Sequence, residues 1–512
     1  MLILFEDQLE VLRISILLLK MRQTIMSAVS FILVIDMIDR RFHNGADEYK
    51  KINYEANKVF YDPDKPRIKD IIWKHYDWIE KTYEDGRLRD AILDNVQRTL
   101  LCKTAYLGYD AYDCTHCDNW IWLFRHCHSR FCSSCGIKYQ KQLAVKAEVM
   151  CIDVPHRHVV FTIPEEYREI FRKDRQTLDI LFIASRNTMM KLFNHSLFKK
   201  IRKKKGIFRN PKDNTYLFRN YKYLNEFGMI STLHTFGRDL KWNPHIHALI
   251  PELVYDNKKK QIKHISHFNF DSLRKTWMYE VNRLLLEHFK DDKQIKRMID
   301  TSYRKQDKGF YVYAKKDVSD EDDEYTEKIS SKNVKGCVSY MMRYAGRPAM
   351  AESRITYYNK DSDDITWYYE DHKTEERIEV KEFGLDLLKK MIIHIPEKGF
   401  RMVRYYGFYN NKCQDLLDEV HRLLGNEKKA YRNKEKRKEE LKKKLDKLKF
   451  RTQMADTYNK DIFKCDECGN SFYYVYTFNP LQGVKNDRQY RKDCIDEMRS
   501  LRIPRGSPGV YA

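Results

Sequence analysis

Two histidines, separated by one residue, lie in a stretch that alternates between polar and apolar side chains. The stretch NPHIHALIP contains His245 and His247, and alternate residues of a β-strand point to the same face of a sheet. Two imidazoles on one face could hold a divalent cation through their ring nitrogens. Since a histidine pair in a strand is often a polar surface feature, a catalytic interpretation requires a third ligand and a reactive partner.

A neighbouring strand-like stretch offers that third ligand. The segments MISTLHTF and HIHALIP are separated by the polar segment GRDLKWNP, a pattern that predicts a β-hairpin. The pairing places His234 opposite His245 or His247, which makes His234 our first candidate. Asp239 in the loop is the alternative, because a carboxylate suits Mg²⁺ or Mn²⁺. His158, in the strand-like stretch HVVFTIP, is a third candidate.

Two tyrosines lie four residues apart in a segment with helical periodicity. NVKGCVSYMMRYAGRP has apolar residues at i, i+3, i+4, i+7 and i+8 spacing, which predicts an amphipathic helix. Tyr340 and Tyr344 are neighbours on one face of that helix, away from the centre of the apolar stripe. The simpler interpretation is a pair of half-buried tyrosines. Arg343 and Arg347 lie close by and are candidates for binding DNA phosphates.

Together these residue types could cleave a phosphodiester. A tyrosine hydroxyl has a pKa of about 10 and is a poor nucleophile near neutral pH. A divalent cation helps it by orienting the phosphate and stabilising charge on its oxygens. Attack would give a phosphotyrosine and a free hydroxyl, so rejoining needs no ATP. A second tyrosine would allow a second cleavage before the first link is resolved.

Two Cys-x-x-Cys pairs, separated by 14 residues, predict a structural zinc site. Paired thiolates are typical ligands of tetrahedral Zn²⁺. The predicted ligands are Cys114, Cys117, Cys132 and Cys135. Cys127 or His128 could replace a member of this set, and Arg130 in the same segment could bind a DNA phosphate.

A later pair, Cys465 and Cys468, is half of a second zinc site. Cys494 is a candidate to complete it. The alternative is that these are thiols without a metal, since one pair alone is a weak signal.

The bulk composition favours a soluble protein that binds a polyanion. The chain has 512 residues, a net charge of +22 and a pI of about 9.2, which favours nucleic acid as a partner. The uninterrupted apolar run at residues 26–35 is too short to cross a bilayer. We therefore expect a cytoplasmic protein that binds DNA and does not enter the membrane.

The order of helical and strand-like stretches predicts an α+β fold. We expect an N-terminal extension, a helical and zinc-binding domain, a catalytic domain, and a basic helical C-terminal region with the late cysteine pair. These four regions are residues 1–65, 66–145, 150–410 and 411–512.

The motif PHIH followed by YMMRY resembles the two-tyrosine form of the HUH endonuclease superfamily. The wider sequence resembles transposases of the insertion sequence 91 family, in collinear order from about residue 66 to 475. The segments that carry this resemblance are CTHCDNWIWLFRHCHSRFCSSC, HRHVVFTIPEEYR, LHTFGRDLKWNPHIHALIP, VSYMMRYAGRPAMAESRI, HIPEKGFRMVRYYGFY and CDEC. One departure is Phe131, which stands where a histidine is expected before the third knuckle cysteine.

The resemblance implies transposition through single-stranded DNA by a rolling-circle route, with transposon ends and target as substrates. It makes His245 and His247 the ligands of the catalytic metal, and Tyr340 and Tyr344 the nucleophiles that join to the DNA 5′ phosphate. The implied fold is a central antiparallel sheet flanked by helices. The alternatives are a replication initiator or relaxase of the same chemistry, and a non-catalytic zinc-finger DNA-binding protein.

Overall fold

Helices and antiparallel strands alternate along the part of the chain that the computed structural model describes. The described residues are 66–117, 119–129, 131–202, 207–209, 216–218, 224–265, 267–314, 334–371, 374–428, 434–449, 451–453, 461–479 and 487–500. The expected N-terminal extension at residues 1–65 lies outside them, as does Arg130.

The helices are α1 (Ile68–Lys74), α2 (Tyr76–Glu84), α3 (Asp90–Leu101), α4 (Ser133–Met150), α5 (Glu165–Lys173), α6 (Leu178–Phe193), α7 (His195–Arg202), α8 (Phe270–His288), α9 (Lys293–Lys305), α10 (Val334–Gly346), α11 (Gly384–Ile392), α12 (Gln414–Lys428), α13 (Lys434–Asp446) and α14 (Asp487–Ser500). The strands are β1 (Tyr109–Asp113), β2 (Trp120–Phe124), β3 (His156–Phe161), β4 (Ile207–Arg209), β5 (Tyr216–Phe218), β6 (Asn225–Glu226), β7 (Gly228–Phe236), β8 (Trp242–Pro251), β9 (Leu253–Asp256), β10 (Gln261–His264), β11 (Val312–Ala314), β12 (Ile355–Tyr358), β13 (Asp364–Glu370), β14 (Arg377–Phe383), β15 (Val403–Gly407) and β16 (Tyr473–Phe478). Among the helices described, none is long and apolar enough to cross a membrane.

A five-stranded antiparallel sheet carries the histidine pair on its central strand. Its order is β11-β3-β8-β7-β15, with β8 paired to β3 on one side and to β7 on the other. The hairpin of β7 and β8 is the one that the sequence predicts. A central strand has both edges hydrogen-bonded, which fixes the direction of its side chains firmly.

The two faces of this sheet are covered by different helices. Ile246, Ala248 and Ile250 of β8 belong to a hydrophobic core that includes residues of α6 and α8. Leu249, on the opposite face, belongs to a second core with residues of α4, α10 and α12. Because side chains alternate along a strand, His245 shares the face of Leu249. The histidine pair therefore lies on the side of the sheet that α10 covers.

The apolar stripe of α10 determines how this helix meets the sheet. Cys337, Val338, Met341 and Met342 are all buried in the core beneath it. At its end, α10 also lies close against α4, since a Cβ added at Gly346 would come within 2.6 Å of the Gln140 Cα atom. Packing on both neighbours holds α10 in a defined position over the sheet.

The N-terminal helices form a separate core with parts of the chain that come much later. α1 and α3 pack with β13, α11 and α14, with Trp367 and Ile495 at the centre. An ion pair of 2.5 Å between Arg491 and Asp94 joins α14 to α3. A smaller three-stranded sheet, β16-β1-β2, also joins residues 109–124 to residues 473–478. The C-terminal elements therefore lie on the N-terminal region in space.

Candidate functional site: a histidine cluster beside Tyr340

Three histidines from the β7–β8 hairpin form a compact cluster. The strand register places His234 directly opposite His245, and His247 follows two residues later on the same face. One ring nitrogen from each of the three lies within 4.8 Å of the others. The spacing of the ring nitrogens fits three ligands of one metal ion.

Backbone carbonyl groups orient two of these rings. His245 Nδ1 lies 2.7 Å from the Asn243 carbonyl oxygen, and His234 Nε2 lies 3.2 Å from that of Met341. Because a carbonyl oxygen only accepts hydrogen bonds, each of these nitrogens is the donor in its bond. The lone pairs available to a metal are then on His245 Nε2 and His234 Nδ1. This is the usual arrangement around metal-binding histidines, whose second nitrogen is held by a hydrogen bond.

Burial keeps the cluster neutral. It lowers the pKa of His245 to about 4, and it lowers the pKa of His234 and His247 well below the ordinary value. A buried imidazole cannot easily carry a charge in a low-dielectric interior. At neutral pH the three rings are therefore in the unprotonated form that binds metals.

The two other ligand candidates occupy different positions. His158 lies on β3 with its Nε2 atom 2.7 Å from His247 Nδ1, and it is outside the three-membered cluster. It therefore contacts a ligand candidate instead of completing the set. Asp239 lies in the hairpin loop, where it accepts a hydrogen bond from the Lys241 backbone and forms an ion pair with the same residue.

Tyr340 lies over the histidine cluster. Its ring centroid is 6.0 Å from that of His247 and 5.7 Å from that of His158, edge-on in both cases. The guanidinium carbon of Arg343 is 5.9 Å from the Tyr340 ring centroid. The side chain of Tyr344, one helical turn further along, lies outside the described part of the structure. Strand and helix thus bring two of the predicted functional groups together.

A cleft of about 520 Å³ opens beside this site. Thr235 and Phe236, which follow His234, line it together with Ala345 and Arg347 at the end of α10. His128 of the N-terminal region also lines it. The cleft therefore connects the surroundings of the histidine cluster with the cysteine-rich region.

The cysteines form two clusters, and the four cysteines that the sequence assigns to one zinc site are divided between them. The later pair, predicted as half of a second site, lies in the second cluster. In each cluster one sulfur from every member lies within 4.8 Å of the others. The first comprises Cys102, Cys127, Cys132 and Cys135, and the second comprises Cys114, Cys117, Cys465 and Cys468. The two predicted pairs therefore belong to different clusters.

The reason is the hairpin of β1 and β2, which holds the two pairs apart. The segment between them contains β2, which runs antiparallel to β1 and carries the chain roughly 17 Å from the turn at about 3.4 Å per residue. Cys114 and Cys117 lie at the tip of this hairpin, whereas Cys132 and Cys135 follow its base. Each pair instead meets cysteines that are near it in space.

The first cluster contains a member that sequence spacing did not identify. Cys102 precedes β1 and so lies at the base of the hairpin, where its Sγ atom is 3.6 Å from that of Cys135 and 3.7 Å from that of Cys132. Cys127, the alternative ligand of the prediction, is part of this cluster. His128 and Cys494 are outside both clusters. The sequence offers only one signal for Cys102, which is its position as a lone cysteine directly after α3.

The sulfur geometry fits zinc. A tetrahedron with Zn–S bonds of about 2.3 Å has edges of about 3.8 Å, close to the 3.6–3.7 Å separations of the first cluster. Hydrogen bonds from neighbouring cysteines lower the pKa of Cys102 and Cys135 to about 5. The same contacts raise the pKa of Cys127 well above its ordinary value, so the protons are shared unevenly among the four thiols.

Comparison with known proteins assigns both regions to transposase families. Residues 71–163 match a family described as "Transposase zinc-binding domain", and this segment contains the whole first cysteine cluster. Residues 228–416 match a family described as "Putative transposase", and this segment contains the histidine cluster and α10.

Individual relatives agree with the family matches. The "Transposase for insertion sequence element IS801" of Pseudomonas savastanoi pv. phaseolicola is 27% identical over 437 residues, which cover 82% of this chain and 91% of the relative. The "Putative transposase y4qJ" of Sinorhizobium fredii (strain NBRC 101917 / NGR234) is 24% identical over 355 residues, 65% of this chain and 81% of the relative. No solved structure matches the chain. With both domain families in order and a relative aligned along most of its length, this chain belongs to the IS91/IS801 family of transposases.

Proposed function

We propose that this transposase cleaves and rejoins single-stranded DNA through a covalent phosphotyrosine, beside a divalent cation held by His234, His245 and His247. The observation that carries the proposal is the position of Tyr340, whose ring centroid is 6.0 Å from that of His247. A phenol and a metal-binding cluster at this separation could contact the same phosphate group.

The donor set favours Mn²⁺ over Mg²⁺ as the catalytic metal. Three neutral imidazoles offer nitrogen ligands, whereas Mg²⁺ prefers oxygen ligands and keeps much of its water. Three protein ligands also leave coordination positions for DNA oxygens. When bound, the cation would polarise the scissile phosphate as a Lewis acid.

The reaction that we propose balances without an external energy source. The Tyr340 hydroxyl loses its proton and attacks phosphorus, the bond to the 3′ oxygen breaks, and that oxygen takes up a proton. The products are a 5′-phosphotyrosine and a DNA 3′ hydroxyl, and attack by a 3′ hydroxyl reverses the step. Arg343, close to the phenol ring, is suited to bind the phosphate.

Tyr344 is our candidate for a second nucleophile. It lies four residues after Tyr340 on α10, and residues at this spacing are neighbours on a helix. A second phenol would let the protein cleave one strand while still linked to another. Such strand exchange underlies the rolling-circle route that the family resemblance implies. The DNA strands exchanged would be the transposon ends and the target.

The cleft beside the cluster is our candidate for the DNA path. Arg347 and Lys398 line it, and cationic side chains along a groove suit a nucleic acid backbone. Arg98 and Arg488 also line it, where they form ion pairs with Asp94 and Asp90. A DNA strand would then run from the histidine cluster toward the cysteine-rich region.

The test is covalent capture of DNA. The purified chain, incubated with single-stranded oligonucleotides from the ends of its element and Mn²⁺, should give an adduct that survives denaturation. Tyr340→Phe with Tyr344→Phe should abolish the adduct, and His245→Ala should reduce it by at least about 100-fold, since each of these removes a transition-state interaction.

The matched control is Tyr357→Phe, which removes a hydroxyl from a side chain that is 52% exposed and should leave the adduct unchanged. Adducts that persist in the double tyrosine variant would refute the nucleophile assignment. Normal cleavage by the His245→Ala variant would refute the metal site.

A further inference from the structure

Two short segments at opposite ends of the chain have the same sequence pattern and the same turn. CTHCDN, at residues 114–119, and CDECGN, at residues 465–470, both read Cys-x-x-Cys-x-Asn. The backbone N–H of the first cysteine donates to the carbonyl oxygen of the asparagine in both, at 2.8 Å from Cys114 to Asn119 and at 2.7 Å from Cys465 to Asn470. Such a turn leaves the two thiols of a pair on one side, as a zinc knuckle requires.

The two turns face each other. Cys114 Sγ is 3.3 Å from Cys468 Sγ, and Cys117 Sγ is 3.3 Å from Cys465 Sγ. These distances are far longer than a disulfide bond of about 2.05 Å and are nearer to the edges of a zinc tetrathiolate. The Asn119 side-chain amide also reaches across to Cys465 Sγ at 3.6 Å.

The strand before the first turn, β1, pairs with the strand after the second turn, β16. β16 adds to the free edge of β1 in antiparallel register, with Tyr109 opposite Phe478. Their ring centroids are 5.3 Å apart, and Tyr112 contacts Phe463 with centroids 4.9 Å apart. Turns and strands together resemble a zinc ribbon whose halves come from distant parts of the chain.

Apolar burial at this junction is concentrated at the two turns, where Phe472 packs with Cys114 and Cys465. Every β16 residue is exposed or only half-buried, and Tyr473 and Tyr474 are 59% and 58% exposed. A strand with so little buried surface contributes little hydrophobic free energy to the junction. A metal ion that binds thiolates from both turns would supply the missing free energy.

We propose that Cys114, Cys117, Cys465 and Cys468 bind a second Zn²⁺ that fastens the C-terminal segment 461–479 to the N-terminal zinc-binding domain. This site has four protein ligands and no open position, so its role is structural. It makes the zinc-binding domain depend on residues about 350 positions away, because Cys117 and Cys465 are separated by 348 residues.

The first test is the metal content of the purified full-length chain, measured by inductively coupled plasma mass spectrometry. We expect two zinc ions per chain in the parent protein and one in the Cys465→Ser, Cys468→Ser variant. Cys468→His, which retains a zinc-binding nitrogen, should keep two. Cys413→Ser is the matched control, because Cys413 is a half-buried thiol outside both clusters, and it should also keep two.

The second test distinguishes a bridging ion from zinc bound elsewhere. Hydrogen exchange of the β16 amides should be slow in the parent chain and at least about 10-fold faster in the double serine variant. The amides of β3 and β8 should be unchanged, which shows that the variant is folded. One zinc per chain in the parent protein, iron in place of zinc, or slow β16 exchange in the double variant would overturn the proposal.

Discussion

At the scale of single residues, the candidate catalytic site depends on which nitrogen of each histidine is free. Main-chain carbonyl groups hold His234 and His245, whereas His247 is held by another side chain, His158, at 2.7 Å. Hydrogen-bond partners of this kind fix ring orientation and raise the affinity of the ligand for metal. His158 is therefore a positioning residue for His247.

This arrangement predicts that His158→Phe weakens Mn²⁺ binding by about 10- to 100-fold, since the His247 ring loses its partner while the three ligands remain. Isothermal titration calorimetry of the zinc-loaded protein with Mn²⁺ would measure the change. The control is His288→Gln, which alters a surface histidine paired with Asp174 and should leave Mn²⁺ affinity at the parental value. An unchanged affinity in His158→Phe would contradict the role of His158.

At the scale of elements, the catalytic geometry depends on how closely α10 packs against its neighbours. The helix contacts the sheet through its apolar stripe, and Gly346 lies against the backbone of α4 near Gln140. A displacement of α10 by an ångström would move Tyr340 relative to the histidines, and errors of this size can cost about 100-fold in rate.

We therefore predict that Gly346→Ala destabilises the protein by about 1–3 kcal/mol, the usual effect of overpacking. Its Cβ would lie 2.6 Å from the Gln140 Cα and 2.7 Å from the Gln140 backbone nitrogen, so the backbone of one helix must shift. Urea denaturation measures the stability, and the yield of DNA adduct measures the activity. Ser339→Ala on the exposed side of α10 is the control, and equal stability of the two variants would contradict this packing argument.

At the scale of the whole molecule, the net charge of +22 is the dominant feature for DNA binding. Binding to phosphates releases condensed counterions, so affinity falls steeply with salt concentration. A chain of this charge has enough cations for an extended contact with a single strand.

We expect about six to ten phosphate contacts and a loss of roughly 10³- to 10⁵-fold in affinity between 50 and 200 mM salt. Fluorescence anisotropy with a labelled single-stranded oligonucleotide would measure this slope. Replacement of Arg347 and Lys398 in the cleft by glutamine should reduce the slope of log affinity against log salt concentration by about two, one for each lost phosphate contact. A flat response to salt would count against a phosphate-binding surface.

Much of the candidate catalytic region could be predicted from sequence because its signals are local. Alternation around His245 and His247 indicates a strand, the polar segment before it indicates a hairpin, and the spacing around Tyr340 indicates a helix. The structure contains all three elements. Local periodicity is reliable here because each element buries one face against the same core.

The tertiary structure alone decided which cysteines meet. Spacing suggested that Cys117 and Cys132 belong to one site, but β2 separates them, and a turn more than 300 residues away completes the second cluster. Sequence spacing records distance along the chain, whereas ligand sets depend on distance in space. The local motifs therefore predicted the candidate catalytic residues, whereas the packing of residues 461–479 against residues 109–124 decided which cysteines can share a metal ion.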